Sequence, residues 1–122
     1  MKKIKTYVDA MVADGKKVQS DLTNDFSKYN FEDFLSMKAE RYYKNEELLS
    51  FYTNIQLNID STTKEEFTEY LTTIKQGYVN TRLKNNPINF STNPMTNMVR
   101  LWNFEVYAEL IKHIDIMLNR YL

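Results

Sequence analysis

Two glycines and two prolines are all that break up 122 residues, and between them apolar side chains recur three and four residues apart. Sheet proteins need many tight reversals, which draw on Gly and Pro because the chain there must take positive or fixed φ values. So few breakers leave room for only a few long elements, and the three-and-four spacing makes those elements helices. The expected fold is one all-α domain over residues 1–122, bundle-like, with four long antiparallel helices running up-down-up-down.

The first helix spans about residues 2–24, with Ile4, Tyr7, Val8, Met11, Val12, Val18 and Leu22 on one face. Gly15 falls where the next apolar residue is due. A mid-helix Gly costs about 1 kcal/mol relative to Ala, so it marks either a close approach by a neighbour or a break. Residues 24–30 read as a connection ending in an N-cap at Asn30, with Glu32 and Asp33 where the helix dipole favours acids. The second helix runs from about Phe31 to Asn58 on two adjacent stripes. One is Phe31, Leu35, Tyr42 and Leu49; the other is Phe34, Leu48, Tyr52, Ile55 and Ile59. Thr62 with Glu65 and Thr63 with Glu66 both have capping-box spacing. The third helix then continues on Phe67, Tyr70, Leu71, Ile74 and Tyr78 to about Lys84, where Asn85, Asn86 and Pro87 stop it. Residues 85–93 form the longest loop, and Ile88 and Phe90 predict that it packs down. Asn93-Pro94 opens the fourth helix, which continues to the last residue.

That fourth helix is apolar over more than half its circumference. Phe104, Ile111 and Leu118 repeat at seven residues, as do Tyr107, Ile114 and Tyr121, while Val106, Leu110 and Met117 widen the stripe. Trp102, Phe104, Ile111, Ile114 and Leu118 are expected in the main core or in a dimer seam. An arc this wide fits a helix that touches several neighbours of its own chain. It equally fits a homodimer through helix four, with Ile116, an apolar residue among polar positions, on the seam.

Several function classes are disfavoured by composition. With 43% apolar residues the chain has enough to build a core without covalent staples. Cysteine is absent, which removes disulfides, thiolate metal sites and a cysteine nucleophile. No apolar run approaches the ~18 residues of a membrane span, and Asp9 and Asp14 interrupt any secretion-type apolar segment after the basic first residues. A cytoplasmic location is expected. Formal net charge is zero, against the basic surplus usual in nucleic-acid binders. Charge is only mildly uneven: +2 over residues 1–30, −3 over 31–60, +1 over 61–92 and 0 over 93–122. Lys and Asn are common and Arg supplies 4 of 16 basic residues, a usage that suggests an AT-rich genome such as that of a low-GC bacterium or its phages.

Candidate chemistry is sparse. His113 is the single histidine and lies in line with Glu105 and Glu109, but bundle metal sites draw carboxylates from all four helices and use paired Glu-x-x-His motifs. A solvated Glu109–His113 pair at i,i+4 explains the spacing. Glu65, Glu66 and Glu69 match half of the magnesium cluster of all-α nucleotide pyrophosphohydrolases. The later Glu-x-x-Asp half is missing, and a capping box explains the acids. There is no phosphate-binding Gly-rich loop, nucleophile elbow or His-Glu-x-x-His. The expectation is a non-enzymatic interaction protein without cofactor or metal: a small helical adaptor, inhibitor or assembly factor, of a kind that phage and mobile-element genes encode, for instance against host defence. The alternative is a nucleic-acid-associated regulator using Lys2, Lys3, Lys5, Lys16 and Lys17 on the first helix. Contact candidates are those lysines, Ile116, and Tyr42 and Tyr43, because tyrosine gives rigid amphipathic contact area at low entropy cost.

Overall fold

Local cap chemistry places most helix boundaries. The computed structural model describes residues 1–25, 28–89 and 91–122, with the side chains of residues 36, 37 and 89 also outside the described set. Helix α1 is Lys2–Asp25, α2 Phe31–Met37, α3 Ala39–Ile59, α4 Lys64–Lys84 and α5 Pro94–Ile116. A 3₁₀ turn, Pro87–Asn89, precedes α5 and a π-helical turn, Met117–Tyr121, follows it. No strand occurs among the described residues. At α2, Asn30 Oδ1 accepts from the Asp33 amide at 2.8 Å. At α4 the N-cap forms on Thr63, whose hydroxyl accepts from the Glu66 amide at 3.2 Å and donates to the Glu66 carboxylate at 3.1 Å. The Glu66 side chain thus meets the Thr63 hydroxyl, where a full capping box would engage the Thr63 amide. Thr62 turns back instead to the Asn58 and Ile59 carbonyls. At α5, Asn93 Oδ1 accepts from the amides of Met95 and Thr96, at 2.9 and 3.3 Å.

The second expected helix is broken into α2 and α3 at Lys38, which leaves helical geometry at φ −126°, ψ −22°. Neither Pro nor Gly causes the bend. The Lys38 amide still donates to Phe34 and its carbonyl still accepts from Tyr42, so Lys38 itself stays bonded on both sides of the bend. Packed chiefly on α3, α2 is not held collinear by the rest of the bundle.

Cross-helix contacts fix the directions. Lys5 meets Asp60 at 2.8 Å, Gln56 donates to Asp9 at 2.9 Å, and Asn45 donates to the Gly15 carbonyl at 3.1 Å and to Gln19 at 2.7 Å, so α1 and α3 are antiparallel. Lys75–Asp115 at 2.7 Å and Arg82 Nε donating to the Phe104 carbonyl at 3.1 Å make α4 and α5 antiparallel. Successive long helices thus alternate in direction. The two hairpins join through α3 and α5, which run parallel: Tyr43 bonds Asn103, Lys44 pairs with Glu105, and Tyr52 bonds His113. Gly15 serves the close approach of α1 to α3. A Cβ there would lie 3.0 Å from Leu49 Cδ1.

The core gathers Ile4, Val8 and Val12 of α1, Phe51, Tyr52, Ile55 and Ile59 of α3, Phe67 and Leu71 of α4, and Leu110, Ile114 and Met117 from α5 and its π turn. The buried line of α5 and its π turn is Val106, Leu110, Ile114 and Met117. Of the five residues expected at the core, Ile114 lies within it and Leu118 packs against its edge, while Trp102, Phe104 and Ile111 are half-buried. Ile111 lies about 100° around the helix from Leu110, which takes it off the buried line. The loop prediction fails at Ile88, which is 86% exposed. Asn86 Oδ1 accepts from its amide at 3.1 Å, fixing a turn that leaves the side chain outside. Phe90 lies outside the described residues.

Candidate functional site

The residues singled out from sequence do not converge. Lys2 and Lys3 are exposed and line a hollow of about 710 Å³ together with Thr6, Tyr7, Ala10 and Tyr121, with the Tyr7 and Tyr121 rings stacked at 4.5 Å. Lys5 is engaged by Asp60, whose hydrogen bond and charge hold its pKa above the usual lysine value. Lys16 and Lys17 are exposed but lie about 20 Å further along α1, at 1.5 Å per residue. Tyr42 and Tyr43 are half-buried. Tyr42 turns its edge to Phe34 at 6.3 Å, and Tyr43 lies 5.7 Å from Trp102 while bonded to Asn103. Both act as seams between helices. Ile116 is also half-buried.

Sequence reasoning missed a hydrogen-bonded chain through the core. His113 is half-buried, and its Nδ1 lies 2.5 Å from the Tyr52 hydroxyl, which lies 3.0 Å from the Tyr7 hydroxyl. Burial pushes the His113 pKa down, Glu109 opposes this and Lys112 adds to it. Tyr52 is 1% exposed, and its hydroxyl is held far above the usual range by burial and by its bond to Tyr7. His113 lines a groove of about 410 Å³ with Arg41, Lys44, Asn45, Leu48 and Val106. Lys44 is anchored there: burial opposes its charge, but hydrogen bonds to Glu105 and Glu40 outweigh that and raise its pKa. No Ser, Thr or Cys lines this groove among the described residues. Among the described residues no three His, Asp or Glu side chains come together as a metal centre requires.

The most uneven feature is an end of the bundle. Because α3 and α5 run parallel and α4 runs against them, the starts of α3 and α5 lie with the end of α4, and α2 leads into α3 there. Eight large apolar side chains are exposed among the described residues, and six of them, Phe31, Leu35, Leu83, Ile88, Met95 and Leu101, belong to this end. Phe31 is 79% exposed. Leu83, Ile88, Met95 and Leu101 lie off the stripes read from the sequence, whereas Phe31 and Leu35 belong to a stripe expected to pack and are exposed because α2 packs chiefly on α3. Only tertiary packing tells an apolar residue that finds a neighbour from one that does not. Glu47 lies on the α3 face between Tyr43 and Phe51, toward α4 and α5. Burial, then Glu46, pushes its carboxyl pKa up.

Comparison with known protein families, with curated proteins and with solved structures gives no match. No helix among the described residues is long and apolar enough to cross a membrane.

Proposed function

We propose that the protein works without catalysis, by binding another protein through the open end of the bundle, as a small helical adaptor, inhibitor or assembly factor. The observation that carries this reading is the gathering of six exposed large apolar side chains where the core gives out. Exposed large apolar side chains gathered at one end can mark a contact site on an otherwise polar protein. A nucleic-acid contact along α1 draws less support, since Lys5 is ion-paired and the remaining lysines lie in two separated pairs.

The test compares the parent with Ile88→Glu, a substitution at a position with nothing to unpack. Each is immobilised and exposed to lysate of the native host, and retained proteins are identified by mass spectrometry. A protein held by the parent and lost from Ile88→Glu is expected. Equal retention by both moves the contact off this end. A salt-sensitive gel shift that survives Ile88→Glu but is lost when Lys2, Lys3, Lys16 and Lys17 become Glu replaces the reading with nucleic-acid binding.

A further inference from the structure

Charge is segregated across the open end. From residue 70 to residue 104 the chain has no Asp or Glu, and its charges are Lys75, Arg82, Lys84 and Arg100. Lys75 is committed to Asp115, and Arg82 to the carbonyl and ring of Phe104. Lys84 is exposed, beside exposed Leu83 and the Ile88 turn. This side is therefore basic and apolar. The other side is α2, Phe31–Met37, whose only charges are Glu32 and Asp33. Phe31 and Leu35, one turn apart, are both exposed, and Glu32 flanks them, exposed as well. This side is apolar and acidic at the start of α2, while Lys38, which closes the helix, lies over the Tyr29 ring. Within one molecule the two sides leave each other's apolar residues uncovered, and α2, bent away at Lys38, packs chiefly on α3.

We propose that the open end closes on a second copy of this chain, with α2 of each protomer lying across the α4–α5 end of the other. The chain itself carries both halves of a complementary pair, acidic-apolar and basic-apolar. A two-fold arrangement uses each half once per protomer, so every favourable contact is made twice. Opposite charges across the contact fix its register and favour encounter. The proposal rests on the open end being a binding surface and names a second copy as its occupant.

Sedimentation velocity from micromolar to several hundred micromolar tests it, at low and moderate salt. The parent is expected to form a dimer that weakens as salt rises. Glu32→Lys and Lys84→Glu each place like charges across both copies of the contact, and each raises the dissociation constant about tenfold or more. When the two variants are mixed, the two substituted positions meet as an opposite-charge pair on one side and the native Glu32 and Lys84 meet on the other. The mixed dimer therefore regains parental affinity, as does the double variant with itself. Both positions are exposed, and circular dichroism confirms that the helices persist. If Glu32→Lys loosens α2, Lys84→Glu and Leu83→Glu carry the test, since neither lies in that helix. A parent that stays monomeric overturns the proposal, as does a dimer indifferent to these variants or a loss that mixing does not restore. A monomeric parent that still loses a host protein on Ile88→Glu leaves the binding reading standing, whereas a dimer that follows the charge rules with no other protein retained removes the reading and keeps the dimer.

Discussion

From Phe51 to Ile59, α3 buries Phe51, Tyr52, Ile55 and Ile59; from Ala39 to Ser50 the same helix buries no side chain fully. Helix α5 divides likewise at Val106, and α4 after Leu71. Leu22 of α1 is the exception. In the packed half, aliphatic side chains, Phe51, Phe67 and the hydrogen-bonded Tyr52 exclude water. In the open half, aromatic rings are held at half burial by their polar ends and neighbours, as in Tyr43 with Asn103 and Arg82 over Phe104 at 3.9 Å. Rings with a polar handle tolerate such a boundary. Stability can thus be concentrated in one half, leaving the other free to present surface.

The largest test of this division sets Phe67→Ala against Phe31→Ala. Phe67 is 0% exposed, and its truncation should cost about 3–5 kcal/mol in urea denaturation. Phe31→Ala should stay within about 0.5 kcal/mol. Comparable losses would mean that the open half is packed after all. A smaller effect maps where tight contact ends. A Cβ at Gly77 meets nothing within 4 Å, so Gly77→Ala should raise stability by about 0.5–1 kcal/mol through helix propensity alone. At Gly15 the same gain is opposed by Leu49, with Cδ1 at 3.0 Å and Cβ at 3.4 Å. Gly15→Ala should therefore gain less than Gly77→Ala or lose stability, and equal gains would show that the α1–α3 seam yields freely.

The halves should also answer acid with opposite signs. His113, in the packed half, has a folded pKa below its ordinary 6.5. As pH falls below that value the unfolded chain takes the proton first, so stability present at neutral pH is lost down to the folded pKa. Glu47, in the open half, has a folded pKa above its ordinary 4.5. As pH falls toward 4.5 the folded state takes that proton first, and stability is gained. Urea titrations from about pH 7.5 to 4.5 separate the two. Relative to His113→Gln the parent should lose stability below pH 6.5, and relative to Glu47→Gln it should gain stability on approaching pH 4.5. The reverse order would contradict the burial at both sites.

The segments readable in advance were those set by local chemistry. Asn30, Thr63 and Asn93 each satisfy orphan amides within three residues, so their caps can be located without the fold. The bend at Lys38 has no such marker, because its cause is what α2 lacks around it. In α5 an apolar arc over more than half the circumference makes periodicity ambiguous, and choosing Ile111 over Leu110 turned the face by one residue. The parallel pairing of α3 with α5, and His113 with its partner Tyr52 sixty-one residues away, are tertiary facts with no local trace. The acid-free stretch was present in the sequence, but sums over windows that included Glu65, Glu66 and Glu69 on one side and Glu105, Glu109 and Asp115 on the other cancelled it.

The chain from Tyr7 through Tyr52 to His113 has a donor–acceptor polarity. With a neutral imidazole, two arrangements satisfy both links. In one, Tyr7 donates to Tyr52 and Tyr52 to Nδ1, so His113 presents an Nε2–H to its groove. In the other, the Nδ1 tautomer donates to Tyr52 and Tyr52 to Tyr7, so Nε2 becomes an acceptor and the Tyr7 proton points away from the chain. The two ends of the hydrogen-bonded chain are therefore not chemically independent: the tautomer of His113 fixes whether the Tyr7 hydroxyl donates into the chain or away from it.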